Sequence, residues 1–318
     1  MNHEHFPAAR FIKEIGRGVK GARSLTREDA HDLYAAMLDG RVSDLELGGI
    51  MLAMRIKGES ADELEGFLAA AEESFEPLPA PEGDLAPVLI PSYNGARKLP
   101  NLTPLLAALL ARHGVPVLVH GVSTDPGRVT TFEIMAAMGL CAAADVGAVR
   151  DAWSLGQPAF MPIAALSPKL ARLLAMRSVL GVRNSTHTLV KIFQPFDGPA
   201  LRLVSYTHPE YLITLGELFA RPDVAARGDA FLMRGTEGET VANSNRGQQI
   251  DWFRRGERTV LVERDPPTDD VANLPESREA VATAAWIARV LEGQVPVPTP
   301  IAQQVEEILM ASRDIAER

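Results

Sequence analysis

The spacing of apolar residues divides the chain into a helical beginning and a longer stretch in which strands and helices alternate. Residues 26–75 read as three short helices. Each opens on a capping-box pattern: Thr26–Asp29 in a weaker form, then Ser43–Glu46 and Ser60–Glu63. Gly40 and Gly58 stand where the first two helices stop, because glycine accepts the left-handed backbone of a helix end. Loops this short pack neighbouring helices together. The middle helix is crowded with Leu45, Ile50, Met51, Leu52, Met54 and Ile56, which serve as the core of a small domain, as a dimer face, or as both.

Residues 77–87, PLPAPEGDLAP, are Pro-rich and without periodicity, and read as a hinge. Strands are predicted at Val88–Pro91, Val115–His120, Ala159–Ala164, Ala200–Tyr206, Ala230–Arg234 and Arg258–Val262. Between and after them, helices are predicted at Thr103–His113, Thr131–Met138, Ser167–Leu180, Pro209–Phe219, Glu276–Leu291 and Pro300–Arg313. Such alternation implies a mainly parallel sheet with right-handed crossovers. The expected fold is therefore α/β. A small helical domain spans 1–76, joined by a helical segment near 166–186, and a large mainly parallel-sheet domain is built from 88–165 and 187–318.

Composition adds limits. The chain has 318 residues, 46% hydrophobic and 23% charged, with a mean hydropathy of zero, so it has ample material for a buried core. No apolar run reaches the ~18 residues a membrane span needs, and the N-terminal stretch lacks the uninterrupted apolar core of a secretory signal. The single cysteine, Cys141, excludes an internal disulfide, fits a reducing cytoplasm, and reads as a small core hydrophobe.

A net charge of −9 argues against nucleic acid for the chain as a whole, but the charge is unevenly spread. Between Phe160 and Tyr206 stand Lys169, Arg172, Arg177, Arg183, Lys191 and Arg202 against Asp197 alone. Between Val88 and Thr130 stand Arg97, Lys98, Arg112 and Arg128 against Asp125 alone. Two arrangements satisfy this pattern: a basic groove that steers a polyanion, or cations scattered over solvated faces. Arg254 and Arg255 beside Trp252 and Phe253 suit nucleic acid, and equally suit a β-turn with Trp252 in the core. The basic N-terminal stretch (Arg10, Lys13, Arg17, Lys20, Arg23) reads as a mobile arm or a solvated lead-in.

Four segments hold the candidate chemistry. Ser92-Tyr93-Asn94-Gly95-Ala96-Arg97-Lys98 follows the first strand of the α/β region. His120-Gly121-Val122-Ser123 leads to Arg128. The stretch from Arg177 through Arg183 and His187 to Lys191 is the third, and Gly235-Thr236-Glu237-Gly238-Glu239 the fourth. A loop that cradles pyrophosphate needs glycines, so that backbone N–H groups approach the oxygens closely. The first segment keeps one glycine, has no acid, and carries Tyr93, Asn94 and Arg97 where the anion would lie. Tyr93 either stacks on a base or packs over the hinge; His187 reads as a structural hydrogen-bonding residue, Arg177 as a contact or an internal ion pair, and Glu237 and Glu239 as a solvated turn.

The order and spacing of these segments, over roughly residues 10–315, resemble the anthranilate phosphoribosyltransferase (TrpD) and nucleoside phosphorylase superfamily, glycosyltransferase family 3. In the enzymes it resembles, the first loop is Gly-Thr-Gly-Gly-Asp and holds phosphoribosyl pyrophosphate, the second begins His-Gly-Asn-Arg-Ser, and the fourth carries Gly-x-Asp-Glu, whose acids hold Mg²⁺. This chain departs at each. Ser92, Tyr93, Asn94, Gly95, His120, Gly121, Arg177, Glu237 and Glu239 occupy degenerate substrate-site positions, with Val122 and Ser123 where Asn and Arg stand. The 177–191 stretch is similar instead to the YbiB-type branch, with its Arg-x-x-Leu-Gly-Val-Arg-Asn-x-x-His-Thr-Leu-x-Lys pattern.

That resemblance implies a cytoplasmic homodimer, paired through the small helical domain, that binds single-stranded DNA or RNA with little sequence preference and lacks transferase activity. The expected contacts are Arg97, Lys98, Arg128, Lys169, Arg172, Arg183, Lys191, Arg202, Arg254 and Arg255, in grooves beside the former substrate cleft, with no catalytic residue and no metal. The alternatives are a transferase that uses phosphoribosyl pyrophosphate with Mg²⁺, and a non-catalytic sensor of a small anion.

Overall fold

The computed structural model describes residues 4–18, 20–264 and 273–318. The chain forms two compact units, one from Met1–Pro77 with Ser167–Pro195, the other from Leu78–Leu166 with Phe196–Arg318.

The helical unit is built on the helices Ala9–Ile15, Arg27–Leu38, Asp44–Lys57 and Ala61–Glu72, with Pro168–Ala175, Arg177–Leu180 and Thr186–Leu189 supplied by the later segment. Both expected capping boxes form: Ser43 and Ser60 each accept from the N–H three residues on, and the side chains of Glu46 and Glu63 accept in return from Ser43 and Ser60. Thr26 caps its helix by accepting from the Asp29 N–H alone. Gly40 and Gly58 take φ of 71° and 79°, as helix ends require. Glu63 does more than cap. It is fully buried, and it also accepts from the Leu25 N–H and from Lys57 Nζ, at 2.9 and 2.6 Å, so its charge is matched on every side. The crowded middle helix splits its apolar residues. Leu47, Ile50, Met51 and Met54 enter the core, while Leu45, Leu52 and Ile56 stay exposed, in one stripe at spacings of seven and four. The N-terminal stretch is no arm over its first turns, since Phe11 and Ile15 of the Ala9–Ile15 helix are buried.

The α/β unit is organised by seven described strands: β1 (Val88–Ser92), β2 (Val117–Gly121), β3 (Ala159–Pro162), β4 (Leu201–Ser205), β5 (Ala230–Met233), β6 (Ile250–Arg254) and β7 (Glu257–Val262). Their order is β3-β2-β1-β4-β5-β6-β7. The first five run parallel, and β6 and β7 add an antiparallel hairpin. The helices Thr103–Arg112, Ala280–Leu291 and Thr299–Ala316 bury apolar faces in one core with Val88, Ile90, Val117, Val119, Leu203 and Phe231. Strands buried on both faces read as mainly apolar runs, which is why β1, β2, β4 and β5 were legible.

Strand β6 was not expected. Asp251, its second residue, breaks the apolar run, yet is fully buried, where it accepts from Arg258 of β7 and from Gln249. The Arg255-Gly256 turn closes the hairpin, with φ of 50° and 84° at its two residues. Cys141 is exposed, against the expectation of a core hydrophobe, because it follows the end of the Thr131–Ala137 helix outside the sheet. Among the described residues, no helix is long and apolar enough to cross a membrane.

In this sheet the strand order reverses between β1 and β4. The crevice outside the carboxyl ends of the strands at such a switch point is where open α/β sheets hold ligands. The loops that leave β1, β2 and β5 there are the ones singled out in the sequence.

Candidate functional site

The ends of β1 and β2 approach so closely that a Cβ on Gly121 would lie 1.9 Å from the Ser92 carbonyl oxygen; only glycine fits. Ser92 Oγ donates to Thr131 Oγ1 at 2.7 Å, and Asn101 Nδ2 donates to the same oxygen at 2.8 Å. Tyr93 is buried, with its hydroxyl 2.9 Å from His120 Nδ1 and the two rings edge to face. It has no face left for a base. Burial holds His120 near a pKa of about 3, so the imidazole is neutral, and burial together with the nearby Glu239 charge pushes the Tyr93 phenol up.

The loop continues into a lattice of hydrogen bonds with the Gly235–Glu239 turn. The N–H groups of Asn94 and Gly95 both donate to Glu239 Oε1, at 2.8 and 2.7 Å. Those of Arg97, Lys98 and Leu99 donate to the Glu237 carboxylate at 2.7, 3.0 and 3.4 Å. Asn94 Nδ2 and Ser205 Oγ both reach the Gly238 carbonyl. The Ala96 N–H goes elsewhere, to the Val129 carbonyl, in a short antiparallel bridge. Arg128 donates to the Asn94 carbonyl at 3.0 Å, and Arg278, which the sequence reading passed over, donates to that of Arg97.

Glu237 and Glu239 are therefore not a solvated turn. Glu239 is 2% exposed and Glu237 half-buried. Their sequence signal was the acid-Gly-acid pattern. What could not be read was its partner, 138 to 145 residues away. The same geometry tests the Mg²⁺ site that the fold family implies. A hard cation needs free carboxylate oxygens. Both oxygens of Glu237 and Oε1 of Glu239 are taken by backbone donors, and no cluster of three or more acidic, His or Cys side chains forms among the described residues. The residues present do not fit the metal.

The expected basic contacts divide sharply. Arg202 is no surface contact: it is 2% exposed, stacked on Phe219, and donates to the Val224 and Gly228 carbonyls at 2.8 Å. Its place in a central strand put it inside. Arg254 is exposed and clamped to Asp314, which also binds Arg318; Arg255 is exposed in the hairpin turn. Lys169 pairs with Asp39 at 2.7 Å, and Arg172 donates to the Met37 and Leu38 carbonyls, so both stabilise the end of the Arg27–Leu38 helix. Arg97 and Lys98 have exposed side chains on a loop whose amides are fixed.

Arg177, Arg183 and Lys191 come together. His187 titrates near 4 because it is buried and because Arg183, then Arg177 and Lys191, oppose its protonation. Three cations thus act on one imidazole. The local reason is a tight chain path: Gly181, in left-handed backbone, ends the Arg177–Leu180 helix, and the Asn184 side chain receives the Thr186 N–H to start the next.

Comparison with known proteins agrees with this architecture. Residues 9–75 match the helical bundle domain of the glycosyl transferase family. The chain is 46% identical to YbiB of Escherichia coli K12 over 309 residues, covering 96% of this chain and 95% of that one. It is 26% identical to the anthranilate phosphoribosyltransferase of Methanopyrus kandleri over 91% of its length and 85% of the relative's. The crystal structure of anthranilate phosphoribosyltransferase (TrpD) from Thermus thermophilus superimposes with a TM-score of 0.69 at 22% identity, over 96% of this chain and 89% of that one, which is a likeness of fold. A helical bundle, a mostly parallel sheet and a near full-length match to YbiB together place the chain in the YbiB family of the anthranilate phosphoribosyltransferase (TrpD) and glycosyltransferase family 3 superfamily.

Proposed function

We propose that this protein binds nucleic acid, DNA or RNA, preferably single-stranded and with little sequence preference, on a phosphoribosyltransferase-like scaffold that no longer carries out the transfer. The observation that carries this reading is the convergence of Arg177, Arg183 and Lys191 on His187. Cationic side chains in one neighbourhood raise the local potential that attracts backbone phosphates, which present negative charge at regular spacing. Arg97 and Lys98, exposed on a rigid loop, offer a second set of phosphate contacts. The transferase alternative is weakened because the loop amides it needs are occupied by Glu237 and Glu239.

The homodimer belongs to the same proposal. The exposed stripe of Leu45, Leu52 and Ile56, at 88, 42 and 65% exposure, suits an isologous contact with a second copy of the Asp44–Lys57 helix. A dimer presents two copies of each cationic set and raises apparent affinity by avidity.

The test is fluorescence anisotropy with a short labelled single-stranded DNA across a salt series. The log of the affinity should fall linearly with log salt, with a slope of about 0.7 per phosphate contact. Replacing Arg177, Arg183 and Lys191 together by Ala should flatten that slope by about 2. A wild-type protein that shows no binding at low salt would overturn the reading.

A further inference from the structure

The loop after β1 and the Gly235–Glu239 turn fit each other as an anion site fits its ligand. Five backbone N–H groups, those of Asn94, Gly95, Arg97, Lys98 and Leu99, converge on two carboxylates that sit two residues apart. Successive N–H groups that line a concavity are the recurring way in which backbone holds phosphate oxygens. Here each carboxylate takes two or three of them, as one end of a bound oxyanion would. Cations surround the nest: Arg128 and Arg278 are fastened to its carbonyls, and Arg97 and Lys98 lie within it.

Two further features mark the carboxylates as occupants rather than ordinary turn residues. Glu237 has φ of 52°, and only Arg255 shares positive φ among the described non-glycine residues. Side chains rarely accept that backbone, so something outside the turn holds it there, and the three amides on its carboxylate are what it touches. In addition, Glu239 Oε2 and Thr236 Oγ1 are buried with no hydrogen-bond partner among the described residues. A satisfied core leaves few such atoms. The carboxylate therefore fills the nest without using its full hydrogen-bonding capacity.

We propose that residues 94–99 form an oxyanion site of the pyrophosphate class whose resident occupant is the chain's own Glu237–Glu239 pair, an internal ligand that excludes external anions. The misfit of this pair to Mg²⁺ is the other face of the same fact: carboxylate oxygens that accept backbone N–H groups have less to offer a metal.

The experiment uses the full-length protein and inorganic pyrophosphate, without divalent metal. Glu237→Gly removes a carboxylate from a residue already in left-handed backbone, where glycine is at ease, so the turn keeps its shape. Isothermal titration should give no saturable pyrophosphate binding for the wild type, and binding at least tenfold tighter for E237G, tighter again for E237G with Glu239→Ala. Hydrogen exchange supplies a second measure that needs no variant to fold. The amides of Arg97, Lys98 and Leu99 lie in an exposed stretch, yet should be protected at least tenfold in the wild type. In E237G that protection should vanish and return on adding pyrophosphate. Fast exchange of these amides in the wild type, equal pyrophosphate affinity in both proteins, or no binding by a folded E237G would each overturn the proposal. The substitution leaves Arg177, Arg183 and Lys191 in place, so replacing those three by Ala should lower the salt slope of single-stranded DNA binding equally in E237G and in the wild type, which separates failure here from failure of the nucleic-acid reading.

Discussion

At the carboxyl edge of the sheet, charge is turned inward: Glu237 and Glu239 spend their oxygens on the amides of the neighbouring loop, and Arg128 and Arg278 direct donors to its carbonyls. Around His187, in the helical unit, charge is instead accumulated, with Arg177, Arg183 and Lys191 gathered on an imidazole that stays neutral. Both regions occupy segments at which the superfamily's sequence motifs stand. One spends its charge on hydrogen bonds that the chain makes with itself, and in the other three cations act on one ring. Residue type alone does not separate these cases. Arginine appears in both, as it does in the core at Arg202.

The comparison is broken most severely at Gly121. Glycine there lets β1 and β2 meet, and Gly121→Val would drive a side chain into the Ser92 backbone. A loss of about 4 kcal/mol or more is expected in urea denaturation, because backbone cannot move aside as a flexible side chain can. The next test sets two arginines against each other. Arg202→Ala should cost about 2–4 kcal/mol, since it strips donors from the buried Val224 and Gly228 carbonyls and empties the space over Phe219, while leaving single-stranded DNA affinity per folded molecule unchanged. Arg183→Ala should instead weaken the DNA complex per folded molecule and lower its salt slope by about 0.7.

Acid sharpens the contrast further. His187 has an ordinary pKa of 6.5 when unfolded and about 4 when folded, so between these values the unfolded chain binds the extra proton. Its contribution to stability is complete above pH 6.5 and is lost as pH falls towards 4, a change of about 3 kcal/mol. Thermal melts from pH 7 to 4 should show this decline, and His187→Gln should make it shallower; a slope identical to wild type would mean that the imidazole is not buried among the cations. The smallest effect is expected at Lys169, whose pairing with Asp39 is well solvated. Lys169→Ala should shift stability by about 1 kcal/mol or less, and a larger loss would show that the helix end depends on it.

Much of this architecture was legible because local chemistry and global fold agree. Ser43–Glu46 and Ser60–Glu63 specify helix starts through contacts three residues apart, and Gly40 and Gly58 end helices through their own backbone freedom. Strands β1, β2, β4 and β5 are buried along their whole length and mainly apolar because both faces of a parallel sheet are covered. Strand β6 escaped because the buried Asp251 is satisfied by Arg258 on the next strand, a contact that no pattern within β6 announces. At the site, the loss of glycines from the loop after β1 was visible, and so was the acid-Gly-acid turn, yet each was read alone.

By itself, then, the sequence determined the order of elements, the helical and α/β division of labour, and the altered character of the loop at 92–98, because all of these rest on periodicity, capping and backbone freedom within a few residues. Tertiary structure alone decided how the charges are disposed. Arg202 is buried, Glu237 and Glu239 are seated on amides about 140 residues away, and Arg177, Arg183 and Lys191 act on one histidine. The reason is physical. A charge is defined by what compensates it, and the compensating groups are brought within hydrogen-bond or Coulomb range only when the sheet and the helices close.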